Sequence, residues 1–283
     1  MTAYRFCRTD DIGLLVDALN RCWLPHFPDE PPMTPAAFKR SIRDLQVWCS
    51  SCMVAFAGPD PIGVLIGAKR PSGTLVHKIA VHPDHGRQGH GRHLLASLGS
   101  KLAILGPPRI VAEVPETFAA ASGLFSAAGY GQDALLTDYV LRRDASDPPT
   151  PTVQDGLYVI PVTVDDLMAN GLLGEDYPET CWERSVDTLT ARKDDIEGIA
   201  VASDERIEAY LLYVKTTAEI MSLRTSIDDG GIRVTQQLLS RLGVGTFRFP
   251  KVHPAEISKA CLETLGFQSA GRHTLYAATA RSG

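Results

Sequence analysis

Along the first 143 positions, apolar residues alternate between the spacing of strands and the spacing of helices. MVAFA and PIGVLIGAK, with the turn GPD between them, predict a β-hairpin. DIGLLVDALNRCW has the apolar spacing of a helix, and TPAAFKRSIRDL predicts a second helix that Thr34 caps and Pro35 opens. TLVHKIAV then predicts a strand, and it is followed by a glycine-rich stretch, a long helix, the strand RIVAEV, a helix ending at Gly129 and the strand LLTDYVLRR.

The second half of the chain repeats this order. LYVIPV, GIAVAS, IEAYLLYVK and EIMSLRT predict strands, and residues 164–193 have a mostly helical pattern with breaks at Gly171, Gly174 and Pro178. A loop and helix, the strand TFRFPKV, a helix ending at Gly266 and the strand HTLYAATA follow. LLSRL lines up with the earlier LLASL, and CLETLGF lines up with LFSAAGY. We interpret this as an internal duplication of one α/β domain.

The clearest break between the two halves is DASDPPTPTVQDG, in which three prolines exclude a helix and stiffen the chain. We therefore predict a first domain at residues 1–143, a linker at residues 144–156 and a second domain at residues 157–283. The length of 283 residues agrees with two domains of about 140 residues each.

The charge and the lengths of the apolar runs argue against two classes of binding partner, nucleic acid and membrane. The net charge is −5 and the isoelectric point is about 5.9, whereas a domain that binds nucleic acid is usually basic. No apolar run reaches the ~20 residues that span a bilayer, and MTAYRFCRTDD lacks the apolar core of a signal peptide. We expect a cytoplasmic protein that binds neither nucleic acid nor membrane, as a monomer or a homodimer.

Six cysteines do not indicate a disulfide framework in a chain of this length. Cys49 and Cys52 form a lone CxxC, and a zinc site would need a second ligand pair at a suitable spacing. We expect these cysteines to pack near the start of a strand, with a redox role as the alternative.

The stretch HPDHGRQGHGRHLL, residues 82–95, combines glycines and basic side chains between a predicted strand and a predicted helix. The first N–H groups of a helix have no intrahelical partner and carry partial positive charge, so they form an anion site, commonly for phosphate. The lysine and hydroxyl of a Walker P-loop are absent after Gly91. A Rossmann fingerprint would need glycine or alanine at position 94, where this chain has Leu94. It would also follow the first strand of the domain, whereas this loop follows several strands.

IAVHPDHGRQGHGRHLLASL resembles motif A of the GNAT acetyltransferases, whose loop amides bind the pyrophosphate of acetyl-CoA. LFSAAGY likewise resembles the LYxxxGF segment of that family. The first motif position is Gly86, where the family usually has Arg or Gln. The resemblance implies that acetyl-CoA is bound by the following residues: Ile79, Ala80, Val81, Gly86, Arg87, Gln88, Gly89, His90, Gly91 and Arg92.

The resemblance also implies a fold. We expect two tandem GNAT-type domains, each with a mixed, mostly antiparallel central sheet flanked by helices. The second copy has Arg233 and Thr235 where Gly89 and Gly91 stand in the first. Their side chains would crowd a pyrophosphate, so we expect a degenerate C-terminal domain that does not bind the cofactor.

In enzymes of this family, a backbone N–H on the fourth strand polarises the thioester carbonyl. The resemblance implies that this N–H lies among residues 79–81. His77 stands where the family often has its basic glutamate, and an imidazole with an ordinary pKa of about 6.5 suits proton removal at neutral pH. Glu113 is a second candidate base. The alternative for His77 is that it packs against its strand neighbours. The alternative for Glu113 is that it is a solvated or charge-paired carboxylate. Phe125 replaces the family's acidic tyrosine and cannot donate a proton.

Two further groups of side chains are candidates for chemistry. His77, His82, His85, His90 and His93 fall close together but lack a metal-ligand spacing, so we expect no metal. In this family the loop between the first two helices often lines the acceptor site, and here that loop is PHFPDEPPM. Its carboxylates, Asp29 and Glu30, would attract a cationic amine, and Trp23 and Phe27 would add an apolar wall. The alternative is that both carboxylates are solvated loop charges.

The leading interpretation is an acetyl-CoA-dependent N-acetyltransferase that acts on a small-molecule amine. The alternative from another class is a CoA- or acyl-CoA-binding sensor or structural protein without turnover. A third possibility keeps the enzyme but changes the acyl group or the acceptor.

Overall fold

A computed structural model describes residues 2–144, 156–174, 177, 179–225 and 231–280. The chain divides into two compact units: unit 1 is Met1–Asp133 with Thr274–Gly283, and unit 2 is Ala134–His273. Except for its two terminal residues, the predicted linker lies outside the described residues. Among the helices that the structure describes, none is long and apolar enough to cross a membrane.

Unit 1 confirms the order of elements that the apolar pattern predicts. Thr34 Oγ1 accepts a hydrogen bond from Ala37 N at 3.1 Å and Pro35 is the first helical residue, as expected for a helix start. The elements are β1 (Thr2–Phe6), α1 (Ile12–Cys22), α2 (Pro35–Leu45), β2 (Met53–Ala57), β3 (Asp60–Arg70), β4 (Gly73–Val81), α3 (His90–Leu105), β5 (Arg109–Pro115) and α4 (Ala119–Ala127).

The sheet of unit 1 has the order β1-β2-β3-β4-β5. Its pairs are antiparallel except for the parallel pair β4–β5. One face packs against α3 and α4 through a cluster that includes Leu94, Leu98, Ile110 and Phe125. The opposite face carries α1, which contacts β3. The mixed, mostly antiparallel sheet with helices on its faces is confirmed.

Unit 2 repeats the plan with shorter helices. The chain continues through β6 (Gly131–Arg143), β7 (Tyr158–Val162), α5 (Val164–Ala169), α6 (Val186–Ala191), β8 (Glu197–Ala202), β9 (Ile207–Val214), β10 (Glu219–Thr225), α7 (Gly231–Ser240), β11 (Gly245–Val252), α8 (Lys259–Thr264) and β12 (Gln268–Thr279). The strand order is β7-β8-β9-β10-β11-β6. The predicted break at Gly171 is confirmed, because α5 ends at Ala169 and Gly171 has φ +72°.

The two units exchange their last strands relative to the order expected from the duplication. LLTDYVLRR, expected to complete the first domain, lies in unit 2, where Leu141 packs in the core beside α7. The chain from Thr274 lies in unit 1, where the ring of Tyr276 stacks on Phe125 with centroids 5.7 Å apart. The predicted boundaries at 1–143 and 157–283 describe the two repeats in the sequence. The compact units differ from these repeats because each unit includes the end strand of the other repeat.

Candidate active site

Strands β4 and β5 of unit 1 separate soon after they begin. They pair in parallel only at Thr74 with Ile110 and at Leu75 with Val111. Strand β4 nevertheless stays paired to β3 as far as Val81. Between β4 and β5 the backbone of residues 76–81 therefore has one edge without a strand partner among the described residues. We call this the β4–β5 gap, and its open edge can pair with an extended ligand.

His77 forms a β-bulge in β4. Lys78 pairs with Ile66 and Val76 pairs with Gly67, so His77 has no opposite residue on β3. A bulge re-aims backbone and side chain and is common next to active sites. The imidazole is partly buried and interacts with other groups of the chain. The sequence predicted His77 as a candidate base on this strand, and the register adds that the bulge lies at His77 itself.

The glycine loop has the geometry of an anion cradle. Gly89 is the N-cap of α3 with φ +86°, and no side chain caps this helix. The first backbone hydrogen bond of α3 runs from His93 N to Gly89 O, so the three preceding N–H groups have no acceptor within the helix. A Cβ at Gly91 would approach Leu124 to 3.1 Å, so this glycine also lets α3 and α4 approach closely.

The clustered histidines contact neighbouring groups of the chain. His82 Nδ1 accepts from Asp84 N at 3.3 Å, in the turn at Pro83. His90 Nδ1 lies 2.6 Å from Tyr4 OH, and the ring of His93 lies 3.8 Å from that of Tyr4. In the part of the chain that the structure describes, no group of three His, Cys, Asp or Glu side chains could hold a metal ion.

The predicted acceptor loop meets β4. The ring of Trp23 stacks on Phe27 at 4.1 Å, and its Nε1 donates to Glu30 at 2.9 Å. Lys78 Nζ lies 3.8 Å from the Trp23 ring centroid and 3.4 Å from Glu30 Oε2. Phe27 also contacts Phe118, which follows β5. An aromatic wall and a paired carboxylate therefore lie beside Lys78, the residue next to the bulge.

Glu113 lies on the strand across the gap from His77. Its neighbours Ala112 and Val114 pack in the core under α3, so by strand alternation Glu113 belongs to the opposite face. Glu113 is partly buried and already interacts with another group. Phe125, by contrast, is buried in the core between Tyr130 and Tyr276, where its ring has a packing role.

A cavity of about 330 Å³ lies along α3 of unit 1. It is bounded by α3, by the end of α4 and by residues 278–280, and Arg92 is the one predicted cofactor residue that lines it. Burial raises the pKa of Tyr130, another lining residue, so its hydroxyl stays protonated. The cavity therefore lies along the flank of α3 and not at residues 86–91 of the glycine loop.

The lone CxxC has no redox or metal partner in the described residues. Cys49 and Cys52 are buried free thiols at the turn before β2, and Cys52 Sγ donates to Trp48 O at 3.3 Å. Burial raises the pKa of Cys7, their neighbour, to about 12. The expected packing role near a strand start is confirmed.

Unit 2 has the same bulge and the same separation of strands. Met221 is the unpaired residue of β10, in the position that His77 has in β4. Strands β10 and β11 pair only at Glu219 with Arg248. The duplication therefore preserved the backbone framework of the gap.

The gap of unit 2 is filled by the side chain of Arg184. Its guanidinium donates to Pro250 O at 2.8 Å, to Lys251 O at 3.0 Å and to Met221 O at 3.5 Å. It also forms a two-bond ion pair with Glu256, at 2.5 and 2.8 Å. Both side chains are 0% exposed. Burial disfavours the charge, but the facing Glu256 carboxylate keeps the pKa of Arg184 above its ordinary value.

Sequence reasoning missed Arg184. The signal was weak, because an arginine in the stretch CWERS lies 72 positions from its carboxylate partner. The predicted replacements Arg233 and Thr235 both lie inside α7. In unit 1, Gly89 is instead the N-cap of α3, so Arg233 is helical where its counterpart is not. Thr235 Oγ1 donates to Gly231 O at 2.6 Å within that helix.

Residues 14–130 match the sequence model of the Acetyltransferase (GNAT) family. No curated protein matches the chain. A GCN5-related N-acetyltransferase from Sphaerobacter thermophilus has a TM-score of 0.68 at 15% identity, covering 100% of this chain and 96% of its own.

Two other solved structures are similar over the full chain. A tandem GNAT protein from the clavulanic acid biosynthesis pathway has a TM-score of 0.68 at 15% identity, with 100% of both chains covered. A GCN5-related N-acetyltransferase from Anabaena variabilis has a TM-score of 0.67 at 12% identity, covering 99% of this chain and 73% of its own. At these identities the likeness shows the tandem fold.

Proposed function

We propose that unit 1, whose residues 14–130 match the model of the Acetyltransferase (GNAT) family, transfers an acetyl group from acetyl-CoA to the amine of a small molecule. One observation carries the proposal. The uncapped start of α3 at Gly89 stands at the end of β4, the strand whose open edge lines the β4–β5 gap. An anion cradle and an open strand edge together suit a ligand with a pyrophosphate and an extended amide chain.

Acetyl-CoA fits the residues present. The N–H groups at the start of α3 would hold the pyrophosphate, and Arg87 and Arg92 would add charge. Residues 79–81 would offer the backbone groups that pair with the pantetheine amides and polarise the thioester carbonyl. When bound, acetyl-CoA supplies an activated acyl group on a good leaving group.

We assign proton removal to His77. Its neutral imidazole would take a proton from the acceptor ammonium, leaving a lone pair on nitrogen for attack on the acyl carbon. As the amide forms and the carbon–sulfur bond breaks, the attacking nitrogen would release its second proton to water, and water would return a proton to the leaving thiolate, because Phe125 has none to give. Glu113, across the gap, is the second candidate base.

The acceptor side supports a cationic amine. Glu30 accepts a hydrogen bond from Trp23 Nε1, so a carboxylate lies on the aromatic wall of Trp23 and Phe27, and Asp29 belongs to the same loop. Glu30 already pairs with Lys78, so an acceptor ammonium would compete with Lys78 for that carboxylate. These residues suggest an amine with an apolar body. We propose that the protein acts in the cytoplasm, without nucleic acid or metal, as a monomer or a homodimer.

The function is tested by acetyl-CoA-dependent thiol release over a panel of amines, with wild type, His77→Gln and Glu113→Gln. We expect turnover with at least one amine and a loss of ~10²- to 10⁴-fold in kcat for His77→Gln, the usual effect of losing a general base. Calorimetry should give the same Kd for acetyl-CoA in all three proteins.

The controls separate the alternatives. A large kcat loss in Glu113→Gln with little change in His77→Gln would transfer the role of base to Glu113. Tight acetyl-CoA binding with no turnover on any amine would favour a CoA-binding sensor. Faster thiol release from a longer acyl-CoA than from acetyl-CoA would change the acyl donor but keep the enzyme.

A further inference from the structure

The open edge of β4 presents the backbone groups of alternate residues to the β4–β5 gap. His82 N donates to Ile62 O at 2.9 Å, so these two residues form a hydrogen-bonded pair with β3. Hydrogen-bonded and non-hydrogen-bonded pairs alternate along antiparallel strands, and the next pair in register is Val81 with Gly63. The N–H and C=O of Val81 therefore point away from β3 and into the gap. By the same alternation, those of Ile79 do so too.

One of these acceptors already has a donor, and the donor comes from the predicted acceptor loop, residues 25–33. His26 Nε2 lies 2.8 Å from Val81 O. Because a carbonyl only accepts, Nε2 carries the proton and donates. A donor lies near the lone-pair direction of the carbonyl that it bonds, so the imidazole stands at the edge of the gap. The ring is exposed to solvent.

The neighbouring contacts of this loop reach both strands of the gap. On the β4 side, Glu30 Oε2 lies 3.4 Å from Lys78 Nζ, which also lies over the ring of Trp23. On the β5 side, the ring of Phe27 meets that of Phe118, just after the strand, with centroids 4.9 Å apart. The bond from His26 differs from these contacts because its acceptor is a backbone atom that faces the gap.

Resting on the proposed function, we propose that His26 couples the acceptor loop to the cofactor. An extended ligand pairs with the alternate backbone groups of an open strand edge. When acetyl-CoA pairs with β4, an amide N–H of the ligand takes the carbonyl of Val81 from His26. The loop then loses its bond to the strand edge and opens for the amine. We call the hydrogen bond between His26 and Val81 the latch.

The strength of the latch suits this exchange. A solvent-exposed hydrogen bond between neutral groups changes an equilibrium by only about 2- to 12-fold, so a ligand with many contacts displaces it. Until the ligand does so, the latch lowers its apparent affinity by the same factor. Coupling of two sites is reciprocal. Acetyl-CoA should therefore strengthen the binding of the amine as much as the amine strengthens the binding of acetyl-CoA.

The experiment titrates acetyl-CoA by calorimetry into the full chain as wild type, His26→Leu and His26→Gln. His26→Leu has no donor for Val81 O, so its Kd should fall about 2- to 12-fold below that of wild type. His26→Gln keeps an N–H donor and should stay close to wild type. Hydrogen exchange gives a second readout, because the backbone N–H groups of His26, Phe27 and Glu30 are hydrogen-bonded within this segment. They should exchange faster in wild type with acetyl-CoA, and equally fast in His26→Leu with or without it.

Asn20→Ala is the matched control. Asn20 holds the other end of the same loop, because its Nδ2 donates to Met33 O at 3.0 Å and its Oδ1 accepts from Met33 N at 2.7 Å. The substitution loosens the loop but leaves Val81 O with its donor, so the Kd for acetyl-CoA should equal that of wild type. A fall in Kd as large as that of His26→Leu would assign the effect to loop mobility and overturn the latch.

The outcomes separate the latch from the proposed function. An equal or higher Kd in His26→Leu than in wild type overturns the latch, whether or not an amine is acetylated. Tighter binding in His26→Leu without turnover of any amine supports the latch and overturns the proposed function. Acetyl-CoA that binds neither protein overturns both.

Discussion

Arg184→Ala is expected to lower the free energy of unfolding by about 3 to 5 kcal/mol, because it leaves the Glu256 carboxylate buried without a counter-ion. Three backbone carbonyls of the β10–β11 gap also lose their donor. A loss of this size corresponds to a fall in Tm of about 10 °C for a protein of this length. Urea unfolding gives the free energy, and hydrogen exchange should show the loss of protection in peptides of unit 2.

The matched control is the double variant Arg184→Met, Glu256→Leu. Replacing both members of a buried ion pair by apolar residues of similar volume is often close to neutral. The double variant should therefore be more stable than Arg184→Ala. If the two proteins unfold at the same urea concentration, the ion pair is not the source of the loss, and the carbonyl contacts carry the stability.

Gly89→Glu is expected to abolish acetyl-CoA binding, with a Kd at least ~100-fold above that of wild type, about 2.8 kcal/mol. The new carboxylate would stand at the start of α3, where the helix favours an anion and the pyrophosphate would lie. A side chain at φ +86° also strains the backbone. A Cβ at this position meets no atom within 4 Å, so the protein should still fold. Calorimetry of both proteins measures the change.

Gly58→Glu controls for the backbone strain. Gly58 has φ +61°, also has open space around a Cβ, and lies in the hairpin turn between β2 and β3. It should lose a similar small amount of stability and bind acetyl-CoA with the Kd of wild type. Equal binding losses in both variants would mean that Gly89 acts through folding, and acetyl-CoA binding unaffected by Gly89→Glu would place the cofactor elsewhere.

Local features of this fold were readable from the sequence. The Thr34 cap, the glycine loop before α3 and the hairpin turn each depend on residues within a few positions of one another. The physics that fixes them is short-range: a cap oxygen reaches an N–H three residues on, and a positive φ needs a glycine. The same holds for His82, whose ring bonds the backbone two residues later.

Features that join distant positions were not readable. The bulge at His77 is defined by its register with β3, and only pairing reveals which residue is left without an opposite partner. Arg184 meets Glu256 because two loops converge on one gap. His26 bonds the carbonyl of Val81, 55 positions later in the chain. Each depends on tertiary contacts that the pattern of one chain does not encode locally.

The strand exchange makes unit 1 depend on a segment that the ribosome adds long after its other strands. Unit 1 holds the glycine loop and the predicted base, yet it includes the chain from Thr274 onward, where Tyr276 covers Phe125. A frameshift just before Thr274 would therefore uncover the core beneath α3 and α4, about 150 positions earlier in the chain. Expressing the first half alone would likewise yield a domain lacking a strand.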